Sequence, residues 1–246
     1  MKLKSVIHKN IFIIQIFFKF IIYYYMIKQT NKIIILGPFC TGTNLIANIL
    51  SNEYKIYNNK IYWKHNINIE ALEKICNMEN IIIIIMYRNI YNWLNSINKS
   101  KYLFKFESFE SNATFEKYSN YNKEKKYDNI IDVYNKYYLN YITLLNKYQN
   151  MIFINYEKML DENALNYINN TIIKFNMKIT NEQKFYITLN KPAKNHGHCV
   201  KSYKIAYANY YNDLNTIKNI VQANDNLNKY VNNDIIDYFE HTSTIL

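Results

Sequence analysis

The chain is poor in the residues that build several common kinds of site. Of its 246 residues only 3 are Cys, 3 are Gly and 2 are Pro. Cys40, Cys76 and Cys199 form no even set and no CxxC spacing, so neither a disulfide framework nor a cysteine metal site is expected. His196 and His198 lack a partner cluster that reads as zinc ligands, and no metal is expected. There is no run of basic residues and no RNA-binding motif, so nucleic acid is not an expected partner despite a net charge of +11. Ile, Asn, Lys and Tyr dominate instead, the set that AT-rich codons favour. Part of the positive charge therefore reads as codon usage on solvated surface, and part as suited to an anionic ligand. The length suits one α/β domain with a full core, or one domain and a tail.

The N-terminal segment, residues 1–28, stands apart from the domain expected over 29–246. Residues 11–27 are apolar except for Gln15, Lys19 and the tyrosines, and Lys2, Lys4, His8 and Lys9 precede them. Spanning a bilayer takes about 20 apolar residues. This run is slightly short, and a central Lys costs on the order of 2.5–3.5 kcal/mol on insertion. Three readings stand: a type II signal anchor, a cleaved signal peptide without an evident cleavage site, or an upstream extension ahead of a domain that effectively starts at Met26. An anchor in a secretory membrane favours a glycan acceptor, and a cytoplasmic start at Met26 favours a small molecule.

The remaining pattern alternates strands and helices, which predicts an α/β fold with a parallel sheet. Strands are expected at Lys32–Leu36, Ile61–Trp63, Ile81–Tyr87 and Met151–Ile154, and Ile81–Tyr87 reads as a central strand covered on both faces. Helices are expected at Thr43–Ser51, Ile69–Cys76, Asn92–Lys99, Tyr127–Tyr148 and Glu162–Phe175, and again beyond a loop at Lys191–Lys201. Residues 100–126 read as an irregular insertion with one helical piece on the substrate side.

Two strand ends carry chemistry. After the first strand comes Gly37-Pro38-Phe39-Cys40-Thr41-Gly42-Thr43-Asn44. A strand, a turn and a helix start make an anion site from backbone N–H groups and the helix dipole. The two glycines have the spacing of GxxxxGK[ST], but Thr43 and Asn44 stand where Lys and Ser/Thr should follow. That departure argues against ATP or GTP hydrolysis. The plain alternative is an ordinary turn with Thr41 or Thr43 as the helix cap. After the strand at Ile81–Tyr87 comes Arg88, with Ser96 eight residues on; a guanidinium and a hydroxyl together can grip a phosphate.

The two loops together resemble the sulfotransferases that use 3′-phosphoadenylyl sulfate (PAPS). Thr41-Gly42-Thr43-Asn44 resembles that family's 5′-phosphosulfate loop. Arg88-Asn89-Ile90 through Ser96 resembles its 3′-phosphate motif, with Ile90 in place of Pro, and Tyr91-Asn92-Trp93 is also typical. Trp63-Lys64-His65 lies where many members carry the catalytic base, and Asn155-Tyr156-Glu157-Lys158-Met159-Leu160 resembles a stretch containing Tyr-Glu. The likeness covers residues 32–175.

It implies a three-layer, P-loop-like α/β architecture. PAPS would be the co-substrate, held at Cys40, Thr41, Gly42, Thr43, Asn44, Arg88 and Ser96. It also implies transfer to a hydroxyl or amine of a carbohydrate or small-molecule acceptor. His65 would be the base, with His196 as second candidate, and Lys64 would support the leaving group. A late basic loop would add Lys194 and Lys201 as phosphate contacts. The family's loop Lys is replaced here by Cys40. Two alternatives therefore stay open: a P-loop kinase-like phosphotransferase, and a catalytically impaired sulfotransferase fold that binds a nucleotide or glycan.

Overall fold

The computed structural model describes residues 32–57, 63–99, 104–115, 126–190 and 215–241. The apolar segment 11–27, the start at Met26, residues 61–62 of the second expected strand, and Lys194, His196 and Lys201 lie outside the described residues.

In chain order the elements are β1 (Lys32–Leu36), α1 (Thr43–Leu50), α2 (Ile69–Cys76), β2 (Ile81–Tyr87), α3 (Ile90–Lys99), β3 (Phe104–Lys105), β4 (Thr114–Phe115), α4 (Ile130–Lys147), β5 (Met151–Asn155), α5 (Ala164–Ile172) and α6 (Glu182–Asn190). Helices α7 (215–222), α8 (Asp225–Asn228) and α9 (Asn233–His241) follow. β1, β2 and β5 form a parallel sheet in the order β1-β2-β5. β2 is central, and all of its residues are buried.

Alternation along the strands splits the core in two, because successive strand side chains point to opposite faces. Ile34, Leu36, Ile83, Ile85, Tyr87 and Phe153 pack on one side with α2, α3, α4 and α9. Ile33, Ile35, Ile82, Ile84, Met86 and Ile154 pack on the other with α1, α5 and α6. The result is an α/β fold of three layers, with helices on both faces of a small sheet.

Several expected boundaries move for local reasons. α4 starts at Ile130 rather than Tyr127 because the Asn129 side chain accepts from the Asp132 N–H and caps it. α3 starts two residues early, at Ile90, behind Asn89, whose Oδ1 accepts from the Tyr91 N–H. Trp63 is not in a strand; instead Ile56 makes the isolated bridge to Ile33. The described part of the insertion, 104–115, is a short antiparallel pair of β3 and β4 and contains no helix. Its alternating Phe104 and Phe106 bury against the core while Lys105 between them stays exposed, the period of a strand.

Candidate functional site

The site gathers at the C-terminal ends of β1 and β2, the edge where open parallel sheets carry their ligands. The loop from Gly37 to Gly42 is held there by its own carbonyl groups. The Gly37 carbonyl accepts from His65 Nδ1 at 2.7 Å, and the Pro38 carbonyl from Thr41 Oγ1 at 2.7 Å. The Phe39 carbonyl accepts from Trp93 Nε1 at 2.8 Å, and the Cys40 carbonyl from Arg88 Nη1 at 2.6 Å. Four successive acceptors are thus turned onto side-chain donors.

The N–H groups are left for something else. Among the described residues, the backbone N–H groups of Thr41, Gly42, Thr43, Asn44 and Leu45 have no acceptor; the first helical bond of α1 runs from the Ile46 N–H to the Gly42 carbonyl. The cap position is Gly42, and no side chain caps the helix. The reading of Thr41 or Thr43 as an ordinary cap is therefore corrected: Thr41 Oγ1 is turned back to Pro38, and the helix start stays open. Backbone shape requires this. Cys40 and Gly42 both have positive φ, 63° and 81°. A Cβ on Gly42 would lie 2.4 Å from the Tyr156 ring, so the loop accepts only glycine there.

Lys64 and His65 approach the same loop. The Gly37 N–H donates to the Lys64 carbonyl at 3.0 Å, next to the His65–Gly37 bond. The Lys64 amine donates to Asn44 Oδ1 in the first turn of α1, and partial burial lowers its pKa. His65 is buried, stacked on Phe39 at 4.0 Å between ring centres and edge-on to Trp63. A carbonyl only accepts, so Nδ1 carries the proton and Nε2 holds the basic lone pair. Burial, with Lys64 adding to it, lowers the His65 pKa to about 3 against the opposing Gly37 bond. His65 is neutral across the physiological range.

Arg88 is buried at the end of β2, its guanidinium 4.6 Å from the centre of the Tyr156 ring. Glu157 lies beside it: Oε1 accepts from the Asn89 N–H at 3.2 Å and from Asn92 Nδ2 at 2.8 Å. Burial raises the Glu157 pKa, and the Arg88 charge opposes that rise. Ser96 is buried two turns along α3, on the helix face that also carries Asn92 and Asn95. Its hydroxyl makes no hydrogen bond among the described residues.

The structure thus brings Cys40, Thr41, Gly42, Thr43, Asn44, Lys64, His65 and Arg88 into one cluster, with Ser96 farther along α3. Sequence reading missed the groups that hold them. Trp93 and Glu157 sat inside quoted motifs without a role. The tyrosines of α4 had no role assigned. Their hydroxyls clamp the site backbone: Tyr134 donates to the Arg88 carbonyl at 2.8 Å, Tyr137 to the His65 carbonyl at 2.7 Å, Tyr138 to the Met86 carbonyl at 3.1 Å and Tyr141 to the Asn66 carbonyl at 3.2 Å. The signal was present in their spacing, which places all four on one face of the helix.

Among the described residues no group of His, Cys, Asp and Glu would hold a metal ion, and no helix is long and apolar enough to cross a membrane. Comparison of the chain with protein-family models, with curated proteins and with solved structures returns no match.

Proposed function

We propose that the chain is a sulfotransferase with a P-loop-like nucleotide site, moving the sulfuryl group of PAPS to a hydroxyl or amine of a carbohydrate or small-molecule acceptor. One observation carries this reading: five consecutive N–H groups, Thr41 to Leu45, stand open among the described residues at a helix start, while the four carbonyls ahead of them, Gly37 to Cys40, are engaged. Such a cradle suits a phosphate or phosphosulfate. Arg88 and Ser96, one strand over, suit a second anionic end.

In this reading His65 Nε2 takes the proton of the acceptor hydroxyl. The acceptor oxygen forms a bond to sulfur as the bond from sulfur to the bridging phosphate oxygen breaks. The Thr41–Leu45 N–H groups and the Lys64 ammonium meet the charge left on that phosphate. Lys64 stands in for the lysine that Cys40 replaces, and its position on Asn44 supports that role. An anion in the cradle raises the basicity of His65, opposing the burial that lowers it.

A second reading has its own support. A histidine held near 3 and a cysteine at the loop lysine position favour a protein that binds the nucleotide without turning it over. A kinase-like phosphotransferase lacks such support, since Thr43 and Asn44 occupy the Walker Lys and hydroxyl positions.

Isothermal titration with 3′-phosphoadenosine 5′-phosphate (PAP) and with 5′-AMP tests the site. Arg88→Ala should weaken PAP far more than 5′-AMP; equal losses remove Arg88 from the 3′ end. Labelled PAPS with an acceptor screen then separates transferase from binder. Transfer that needs Mg²⁺ would return the kinase-like reading.

A further inference from the structure

The Arg88 end of the site already contains a carboxyl group. Oε1 of Glu157 takes the Asn89 N–H and the Asn92 side chain, the donors that open α3. This is where a helix favours negative charge. The corresponding place on α1 is left to open N–H groups, so one helix start is vacant and the other is filled from within. The carboxyl is shut off from solvent, and its Oε2 has no hydrogen-bond partner among the described residues. A second carboxyl, Glu240, accepts from Asn89 Nδ2 at 2.6 Å and from the Tyr87 hydroxyl at 3.3 Å. Among the described residues, one guanidinium therefore shares its turn with two acids.

We propose that Glu157 is the specificity-determining residue of this end: a 3′-phosphate enters together with one proton, which Glu157 carries on Oε2 while Oε1 keeps Asn89 and Asn92. The inference rests on the nucleotide reading above. Two negative groups beside one Arg in a closed site do not both stay ionised. The proton comes from solvent, and no bond to phosphorus forms or breaks. Protonation also removes the charge from Oε2, which has no donor among the described residues. A nucleotide with a free 3′-hydroxyl takes up no such proton, so the two ligand classes separate with pH.

The tyrosines around Glu157 do not compete with it for the proton. Facing it are Tyr87 from β2, Arg88 and Asn89 from the turn after it, Asn92 from α3, Tyr134 and Tyr138 from α4, Tyr167 from α5, and Glu240 from α9, which reaches Tyr87 and Asn89. Lys158 follows in sequence and lies over the Tyr167 ring. Burial raises the pKa of each of these tyrosines, so all stay neutral. Burial likewise raises the pKa of Glu157, which favours uptake.

The test is calorimetry on the full chain with PAP and 5′-AMP, at about pH 6 and about pH 8, in two buffers of different ionisation enthalpy. Wild type should take up about one more proton on binding PAP than Glu157→Gln does, by linkage. Its PAP to 5′-AMP affinity ratio should fall with rising pH, by up to about tenfold per unit. Phosphate titration near pH 6 is common to both proteins and cancels in the comparison. Equal proton counts in the two proteins, with PAP still bound, overturn the role of Glu157 and leave the nucleotide reading standing. Absence of binding by both nucleotides overturns both. Should Glu157→Gln fail to fold, wild type at about pH 8, where the phosphates are already ionised, decides: no proton taken up with PAP beyond that with 5′-AMP overturns the proposal.

Discussion

Arg88 donates from Nη1 to the carbonyl oxygen of Cys40 at 2.6 Å, so a single side chain joins the turn after β2 to the loop after β1. The bond orients Cys40, which sits at positive φ, and it brings a positive charge beside the cradle. Residue 40 thus contributes its backbone carbonyl to the loop.

Arg88→Ala should therefore act on stability as well as on binding. It removes the charge that offsets the buried Glu157 and the donor that holds Cys40. Stranding a buried charge costs about 3–5 kcal/mol. Urea unfolding should show a loss near that size, and Arg88→Ala combined with Glu157→Gln should recover much of it. A double variant no more stable than Arg88→Ala would mean that the two charges are not coupled.

Gly42→Ala tests the shape of the cradle. The new Cβ would lie 2.4 Å from Tyr156 Cδ2 and 2.6 Å from Cε2, at a φ of 81°. Backbone strain of this kind alone costs of order 1–3 kcal/mol. Thermal unfolding should fall accordingly, and PAP and 5′-AMP should lose affinity together, since both use the N–H groups of the loop. Tyr156→Ala in the same chain makes room for the methyl group but leaves the φ strain, so it should restore only part of the stability.

Much of this was legible in the sequence because it is local. The isoleucine runs of β1 and β2 and the helical stripe of α2 depend on neighbours within a few residues, and both strands and α2 have their expected bounds. The loop and the helix that opens behind it were legible because Gly37, Gly42 and the start of α1 are contiguous. What holds the loop was not, because its donors come from far along the chain: His65 is 28 residues from its partner, Arg88 is 48 and Trp93 is 54. The basicity of His65 was not legible either, because burial with Phe39 and Trp63 packed around it decides the matter. Nothing in the order of residues tells that Glu157 fills the start of α3.

The tyrosine clamp of α4 should separate the two halves of the site. Tyr134→Phe strands the Arg88 carbonyl, and Tyr137→Phe strands the His65 carbonyl. Each buried acceptor left without its donor costs about 1–3 kcal/mol. Beyond that shared loss, Tyr134→Phe should weaken PAP relative to 5′-AMP, while Tyr137→Phe should leave both affinities nearly level and lower transfer. Equal effects of the two changes on every readout would show a clamp that supports the fold alone.

His65 gives a pH signature that is independent of any ligand. Its folded pKa of about 3 lies below the ordinary 6.5, so the unfolded chain binds a proton that the folded chain refuses. Stability from this group is then fully present above about pH 6.5 and is lost as pH falls towards 3, with a slope of about 1.4 kcal/mol per pH unit inside that window. Glu157 pulls the other way: its raised pKa adds stability at low pH that disappears as pH rises through the folded value. The two are separated by substitution. In His65→Asn the side-chain amide can still donate to the Gly37 carbonyl, but nothing titrates. Urea midpoints measured from about pH 4 to about pH 7.5 should therefore fall less steeply on acidification in His65→Asn than in wild type. Parallel curves would mean that His65 protonates freely in the folded chain, and the buried, carbonyl-bound imidazole would have to be abandoned.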